Sequence, residues 1–328
     1  MSYYLNNSEI LFSRICSDNI YRVAGNSPSF ETMMGENLLM EVEHIKSKEK
    51  FLCYPCGHQQ RKRTAFVLNA IATPMLKAFV WPSDLVSLGN NDYWLFKKKI
   101  GHKDNKFENL MQITRGKSFD GFETPRIKDI VFNYLNALDN LFKNGYIYRY
   151  WDERMIFVGV EKNEIVFQFH TYLSKKNNQM HLKEEEYYSE LTDPFAFYHG
   201  NNYDFYSDMY SYQTVLFKLL VGMYPFEGKN LLYKKNDDSI SGHQGWVMHY
   251  MRNVYFVFDE DDRRNRIGVM GEDIPRVKRW EALPQNIQNM FRKVFKRSNV
   301  LRENETIICY SPQEWIRELQ KFDFKLKK

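Results

Sequence analysis

The sequence predicts an α+β fold in which a small strand-rich part precedes a larger helical part. Short apolar runs separated by turn-forming residues fill roughly the first hundred residues, as expected for strands. After about residue 101 the apolar residues recur at three- and four-residue steps, which is typical of helices. Because strands and helices are segregated along the chain and do not alternate, an α+β fold is favoured over an α/β fold.

The strands are predicted from short runs of aromatic, β-branched and other apolar residues. These runs cover residues 20–23, 38–42, 51–54, 78–81 and 93–96. Gly25, Pro28 and the 89–92 stretch supply turns between some of them. Residues 64–71 interrupt the series and favour an apolar helix.

The clearest helix is predicted over residues 127–144, where the apolar positions form one face and Gly145 follows as a stop. Residues 207–221 predict a second helix that is apolar nearly all round. We expect this helix to be buried at the centre of its domain. Gly222 suits the end of that helix.

Two later helices are predicted over residues 283–295 and 311–322, because Pro284 and Pro312 suit a first helical turn. The polar stretch 229–245 is predicted to be a surface loop. These elements complete the larger, helical part of the chain.

The composition is that of an ordinary globular chain with a mild positive charge. Of the 328 residues, 43% are apolar and 27% are charged, and the formal net charge is +5. A dedicated nucleic-acid-binding protein concentrates a stronger basic field on one face. The basic runs at residues 61–63 and 97–99 are therefore predicted to be solvated surface. A nucleic-acid-binding module that uses these runs is the weaker alternative.

No apolar run approaches the ~18 residues that a membrane span requires. Residues 1–15 lack the basic and apolar pattern of a secretory signal. We therefore expect a cytoplasmic protein that binds neither a membrane nor nucleic acid.

The chain has too few cysteines for a disulfide framework; they are Cys16, Cys53, Cys56 and Cys309. Cys53 and Cys56, with His58 nearby, lack the second ligand pair of a structural zinc site. They also lack the thioredoxin-like context of a redox pair. We expect them to pack beside a strand.

The segment that follows the first long helix resembles the catalytic loop of protein kinases. Residues 146–158 read Tyr-Ile-Tyr-Arg-Tyr-Trp-Asp-Glu-Arg-Met-Ile-Phe-Val. The family pattern is His-Arg-Asp-x-x-x-x-Asn followed by a short apolar strand. On this pattern Tyr148 takes the His position, Arg149 keeps the Arg, Tyr150 takes the Asp and Met155 takes the Asn.

Two further segments are similar to protein kinases in their order and spacing. Residues 164–170 match the strand that ends in Asp-Phe-Gly, with Gln168 on the Asp, Phe169 on the Phe and His170 on the Gly. Asp208 matches the Asp that opens the buried central helix of the larger kinase lobe. The resemblance implies a kinase-like bilobal fold, with an N-lobe over residues 1–98 and a C-lobe over residues 99–328.

The flanks narrow the resemblance to a bacterial kinase-like group. Trp81, Pro82 and Asp84 resemble the Trp-Pro-x-Asp strand before the hinge of that group, and residues 256–266 and the late Trp315 helix also fit. Kinase-like proteins of this group often accompany von Willebrand-type domains and metal-dependent serine/threonine phosphatases. The resemblance therefore implies protein partners, such as a kinase, a phosphatase or a von Willebrand-type domain protein.

The departures from the kinase pattern remove the groups that perform phosphoryl transfer. A tyrosine phenol, with a pKa of about 10, is a poor proton acceptor at pH 7. Mg²⁺ prefers hard anionic oxygens, but Gln168 offers a neutral carbonyl and Met155 a soft thioether. Residues 50–83 also lack any acidic partner for an ATP-binding lysine, and Gly25 and Gly35 do not form a glycine-rich loop.

The resemblance therefore implies a pseudokinase that acts as a regulatory or scaffolding protein-binding module. Its degenerate positions are Tyr148, Tyr150, Met155, Gln168 and His170, and its retained framework is Arg149, Phe169 and Asp208. No catalytic residue, metal or cofactor is expected, and ATP binding stays open. The alternative is an atypical serine/threonine kinase whose catalytic carboxylates have moved to Asp152 and Glu153, with Glu164 nearby in sequence.

Overall fold

The structure is a computed structural model, and it divides the chain into two compact units. It describes residues 8–26, 40–56, 78–79, 82–96, 107–115, 121–124, 126–149, 151–167, 174–176, 180–181, 189–200, 202–232, 242–267 and 273–324. The first unit comprises Met1–Leu110 and Arg154–Leu173, and the second comprises Met111–Glu153 and Ser174–Lys328. The chain therefore enters the helical unit and returns once to the strand-rich unit.

The strand-rich unit contains a closed antiparallel barrel. Its strands are β1 (Ile10–Ser13), β2 (Ile20–Asn26), β3 (Met40–His44), β4 (Lys50–Cys56), β5 (Pro82–Leu88) and β6 (Asn91–Phe96). They follow the order β1-β2-β3-β4-β6-β5, and β5 pairs back onto β1. Alternate residues such as Leu11, Tyr21, Val23, Val42 and Tyr93 fill the interior, as the two-residue period of a strand requires.

The segregation of strands and helices that the sequence predicts is confirmed, but closure of the sheet into a barrel is not part of that prediction. Of the predicted strand at residues 78–81, residues 80–81 lie outside the described residues, and Phe79 forms an isolated bridge to Phe167. The described strand β5 begins at Pro82. Proline is tolerated at the first residue of a strand, where its missing N–H costs no ladder hydrogen bond. Strand β1 has no counterpart in the prediction. The predicted helix at residues 64–71 lies outside the described residues.

Shorter strands follow the barrel. They are β7 (Phe107–Asn109), β8 (Tyr146–Ile147), β9 (Ile156–Gly159), β10 (Ile165–Phe167), β11 (Ser174–Lys175), β12 (Met180–His181) and β13 (Asn202–Tyr203). β7, β9 and β10 form a small sheet in the order β10-β9-β7. Phe157 and Val166 of this sheet pack against Trp94 and Phe96 of the barrel. This contact explains why the segment from Arg154 belongs to the first unit.

The helical unit is built around one buried helix. The helices of the described residues are α1 (Leu110–Arg115), α2 (Ile127–Lys143), α3 (Pro194–Tyr198), α4 (Phe205–Val221), α5 (Lys229–Leu232), α6 (Gly242–Arg252), α7 (Ile274–Ala282), α8 (Gln285–Phe295), α9 (Arg297–Val300) and α10 (Pro312–Leu319). Asp204 and Ser207 form a capping box that begins α4, and Gly222 ends it in the left-handed region at φ 87°. Every residue of α4 from Ser207 onward is buried.

The predicted helices at 127–144, 207–221, 283–295 and 311–322 are confirmed as α2, α4, α8 and α10. The predicted surface loop at 229–245 is wrong at its two ends, where α5 and the start of α6 lie, and residues 233–241 lie outside the described residues. Phe217 of α4 lies within 5.1 Å of the Phe291 ring centroid and 5.5 Å of the Phe256 centroid. Aromatic packing around α4 therefore holds the unit together. None of the helices in the described ranges has the length and apolarity that a bilayer span requires.

Asp84 ties the closing strand of the barrel to the first two strands. Its carboxylate accepts hydrogen bonds from the Ser13 hydroxyl and the Tyr21 hydroxyl, each at 2.7 Å. Asp84 is 2% exposed, and Tyr21 is 3% exposed. Burial and the Asp84 carboxylate raise the pKa of Tyr21 far above its usual range, so this phenol remains a donor. Three strands therefore meet on one buried carboxylate.

Replacing Asp84 by alanine leaves the Tyr21 hydroxyl buried without this acceptor. An unsatisfied buried polar group costs about 1–3 kcal/mol, and the lost Ser13 bond adds to it. We expect Asp84→Ala to lower the free energy of unfolding by about 2–4 kcal/mol in urea denaturation. The matched control is Asp18→Ala, which removes an exposed carboxylate from the β1–β2 loop and should change stability by less than about 0.5 kcal/mol. Equal stability of the two variants would contradict the role of Asp84.

Candidate functional site

The segment that joins α2 to β9 holds the candidate site. α2 ends at Lys143, and Gly145 reverses the chain in the left-handed region at φ 79°. β8 then pairs with β11 and brings the chain to a buried position. Residues 148–155 follow, and we call them the 148–155 loop.

Asp208 in the first turns of α4 holds the beginning of this loop. Its Oδ2 accepts a short hydrogen bond from the Tyr148 backbone N–H, and its Oδ1 accepts one from the Arg149 backbone N–H at 2.7 Å. The Trp151 indole N–H donates to the same Oδ1 at 3.0 Å. Asp208 has no exposed surface. We call Asp208 and these three donors the Asp208 anchor.

The anchor holds a strained backbone. Arg149 has φ 63°, in the left-handed region that an L side chain rarely adopts. This conformation costs roughly 1–2 kcal/mol for a residue that is not glycine. The hydrogen bond from the Arg149 N–H to a buried carboxylate offsets this cost, because a charge-assisted bond is stronger than a neutral one.

Opposing forces act on the ionisation of Asp208. Burial raises the pKa of Asp208 to about 6, because the folded protein removes water from the carboxylate. The Tyr148, Trp151 and Arg149 hydrogen bonds and the nearby Arg149 charge act in the opposite direction. Desolvation outweighs the hydrogen bonds, so Asp208 changes charge closer to neutral pH than an ordinary aspartate.

Trp151 was not predicted as a site residue. Its ring lies edge-on against Tyr148, with 4.8 Å between the centroids, and against Tyr134 of α2 at 6.3 Å. Its carbonyl accepts a hydrogen bond from the Ser189 hydroxyl at 3.1 Å. The available signal was a tryptophan between two polar residues in a loop, which indicates a buried ring with a polar partner.

The end of the loop is fixed by a buried ion pair. Glu153 Oε2 lies 2.6 Å from Lys218 Nζ of α4, and the two side chains are 5% and 6% exposed. Lys218 also donates to the Tyr224 hydroxyl at 2.9 Å. Lys218 was not predicted as a site residue. The available signal was a single cation in the apolar second half of the helix, because such a cation is rarely fully buried without a partner.

The structure places the other predicted site residues as follows. Met155 is 3% exposed and precedes β9, and Asp152 is 6% exposed beside Glu153. Glu164 is exposed, next to β10. Three predicted positions, Tyr148, Arg149 and Asp208, come together in the anchor. The remaining predicted positions lie outside the described residues; they are Tyr150, Gln168, Phe169 and His170.

Cys53 packs in the barrel interior, where burial raises its pKa far above the usual range for a thiol. Cys16 and Cys309 are also free thiols. Within the described residues, no three His, Cys, Asp or Glu side chains are arranged to hold a metal ion. His58 and the basic runs at 61–63 and 97–99 lie outside those residues.

Comparison with known proteins does not identify a family for this chain. No protein-family model matches it, and no curated protein matches it. A role for the 148–155 loop therefore has to be argued from its residues and their geometry.

We expect Lys218→Met to lower the free energy of unfolding by about 3–5 kcal/mol, because it leaves the Glu153 charge buried without a cation. The double variant Glu153→Gln with Lys218→Met removes both charges and should recover part of this loss. Chemical denaturation of the wild type, Glu153→Gln, Lys218→Met and the double variant measures the coupling energy between the two side chains.

A pair with the same separation but with an exposed lysine provides the control. Lys143 Nζ lies 2.6 Å from Asp139, but the Lys143 side chain is 62% exposed. We expect Lys143→Met to cost less than about 1 kcal/mol. A similar cost for Lys143→Met and Lys218→Met would show that burial of the Glu153–Lys218 pair does not determine its contribution.

Proposed function

We propose that the chain is a kinase-like protein that has lost phosphoryl transfer and acts as a regulatory or scaffolding module for other proteins. The observation that carries the proposal is the Asp208 anchor. It supports a retained loop framework at the positions where the sequence resembles a kinase catalytic loop. The side chains of the same loop support the loss of chemistry.

The Asp208 anchor is built from backbone donors. The carboxylate contacts the N–H groups of Tyr148 and Arg149, so the hydrogen bonds depend on the path of the chain. A buried acid used in this way stabilises the loop and does not face a substrate. Arg149 and Asp208 then have the bracing role that the resemblance implies for the retained framework.

The side chains of the loop are engaged in packing and pairing. Tyr148 and Met155, at two of the degenerate kinase positions, are 0% and 3% exposed. Phosphoryl transfer depends on positioning and on charge stabilisation by metal-bound oxygens. A buried phenol and a thioether do not provide these oxygens. The ion pair with Lys218 occupies Glu153, which weighs against Glu153 as a relocated catalytic carboxylate.

The proposed partners are proteins, and the resemblance favours a kinase, a phosphatase or a von Willebrand-type domain protein. A module of this kind would present its surface to the partner while its former catalytic loop stays fixed. Cytoplasmic location is part of the same proposal.

The proposal predicts that ATP gives no magnesium-dependent stabilisation. Thermal unfolding is measured with ATP alone, Mg²⁺ alone and both together, and transfer of labelled phosphate to a mixed serine/threonine peptide library is measured in parallel. A ligand at 100 times its Kd stabilises the native state by about 2.7 kcal/mol, so real binding would be evident. We expect equal melting temperatures with and without Mg²⁺ at each ATP concentration and no transfer.

Asp152 provides the decisive comparison with an atypical kinase. Magnesium-dependent stabilisation, together with transfer that Asp152→Asn abolishes, would establish the alternative and overturn the proposal. Asp129→Asn is the control, because Asp129 is an exposed acid in the first turn of α2. Transfer that survives in Asp129→Asn and disappears in Asp152→Asn would assign the chemistry to the loop.

A further inference from the structure

The two oxygens of Asp208 carry unequal numbers of donors. Among the described residues, Oδ1 accepts from the Arg149 N–H and the Trp151 indole N–H, and Oδ2 accepts only from the Tyr148 N–H. A protonated carboxyl has one hydroxyl, which is itself a donor, and one carbonyl oxygen, which remains an acceptor. Adding the proton at Oδ2 preserves two of the three hydrogen bonds, whereas adding it at Oδ1 disturbs two. Oδ2 is therefore the oxygen at which protonation disturbs the fewest of these hydrogen bonds.

We propose that Asp208 is a proton-operated latch on the 148–155 loop. The ionised carboxylate holds the Tyr148, Arg149 and Trp151 donors together. Protonation at Oδ2 places two donors against each other and releases the Tyr148 N–H, while the Arg149 and Trp151 bonds to Oδ1 remain. The loop then opens at its first residue and stays attached at the next positions.

The burial of the Asp208 carboxylate makes the latch sensitive to mild acid. Burial raises the pKa of Asp208 to about 6, so the change of charge occurs between neutral and mildly acidic pH. Arg149 is the charged group that acts on Asp208, and Tyr134 of α2 lies within electrostatic reach of it. Tyr134 is in turn near Tyr148, Tyr212 and Glu153, which pairs with Lys218.

The neighbouring arginine and buried phenols keep their charge state in this range. Arg149 stays positively charged. Burial raises the pKa values of Tyr134 and Tyr212 well above their usual range, so both phenols stay neutral.

Release of Tyr148 leaves the strained residue in place. Arg149 has φ 63°, and its own N–H donates to Oδ1. When the bond at Tyr148 is lost, the Ile147–Tyr148 peptide loses its acceptor, while the Arg149 N–H bond to Oδ1 still holds the Tyr148–Arg149 peptide. The latch goes beyond the proposed function, because it operates whether or not the loop transfers phosphate.

The latch is tested by ¹⁵N NMR of the full chain between pH 5 and pH 8. We expect the Tyr148 amide resonance to shift with a midpoint near pH 6 and its hydrogen exchange, corrected for the intrinsic effect of pH, to become faster below it. The Arg149 amide and the Trp151 indole resonance should move much less. Equal shifts of all three signals, or no transition in this range, would overturn the proposal.

Two variants sharpen the test. Asp208→Asn keeps an acceptor at the Oδ1 position and puts an NH₂ group toward Tyr148, so it should show the released Tyr148 signal at every pH. Trp151→Phe removes one donor to the ionised carboxylate and should raise the Tyr148 midpoint by up to about one pH unit. A midpoint that stays unchanged in Trp151→Phe would contradict the latch even if Asp208→Asn fails to fold.

The pH dependence of the melting temperature tests independently whether Asp208 takes up a proton in the folded state. The folded pKa of about 6 lies above the value of about 4 in an unfolded chain, so the folded state takes up the proton first. The contribution of this group to stability is complete below pH 4 and is lost as the pH rises through 6. The melting temperature of the wild type should therefore rise relative to Asp208→Asn between pH 7 and pH 5. A constant difference would count against titration of Asp208.

Discussion

A single buried carboxylate is the constraint on which the centre of the helical unit depends. α4 is buried from Ser207 to Val221, so water cannot satisfy backbone groups that cross its first turns. The 148–155 loop crosses there, and its N–H groups would lack acceptors beside an apolar side chain. Asp208 supplies acceptors for two consecutive N–H groups and one indole at the cost of burying a charge. The pKa of Asp208 is raised because burial removes water from its charged form.

Buried polar side chains also hold other loops of the helical unit through hydrogen bonds to the backbone. Asn265 donates to the carbonyls of Phe226 and Tyr255 at 2.9 and 2.8 Å, and so joins two loops that are distant in sequence. Asn299 donates to the Ile308 carbonyl at 2.9 Å and accepts from the Ile308 N–H at 2.6 Å. Each amide combines a donor and an acceptor, so it can satisfy a loop without a net charge. Asp208 differs because its side chain contacts donors alone among these partners, which an ionised carboxylate accepts more strongly than a neutral group does, and this difference makes it sensitive to protons.

Local patterns predicted the helices but not the contacts between distant segments. The apolar period placed α2 and α4 almost to the residue, because a three- to four-residue repeat is a property of the segment itself. Barrel closure depends on pairing β1 with β5, including Phe12 opposite Ser87, and no local pattern contains that register. Lys218 was missed for the same reason, since its burial makes sense only beside Glu153. Tyr148, Arg149 and Asp208 were predicted from the kinase resemblance, and no local pattern in the sequence indicated the hydrogen bonds that join them.

The Asp208 anchor fixes the backbone path of the loop independently of the Tyr148 and Arg149 side chains. It holds Tyr148 and Arg149 by N–H groups that every residue except proline carries, so exchanging either side chain leaves the two backbone hydrogen bonds in place. The loop can therefore keep its path after catalytic side chains are lost, and the same path would serve an active protein equally well. For this reason the anchor supports a framework and does not support an activity. The activity must be argued from side chains, and here these are a buried phenol, a buried thioether and a carboxylate that is paired with Lys218.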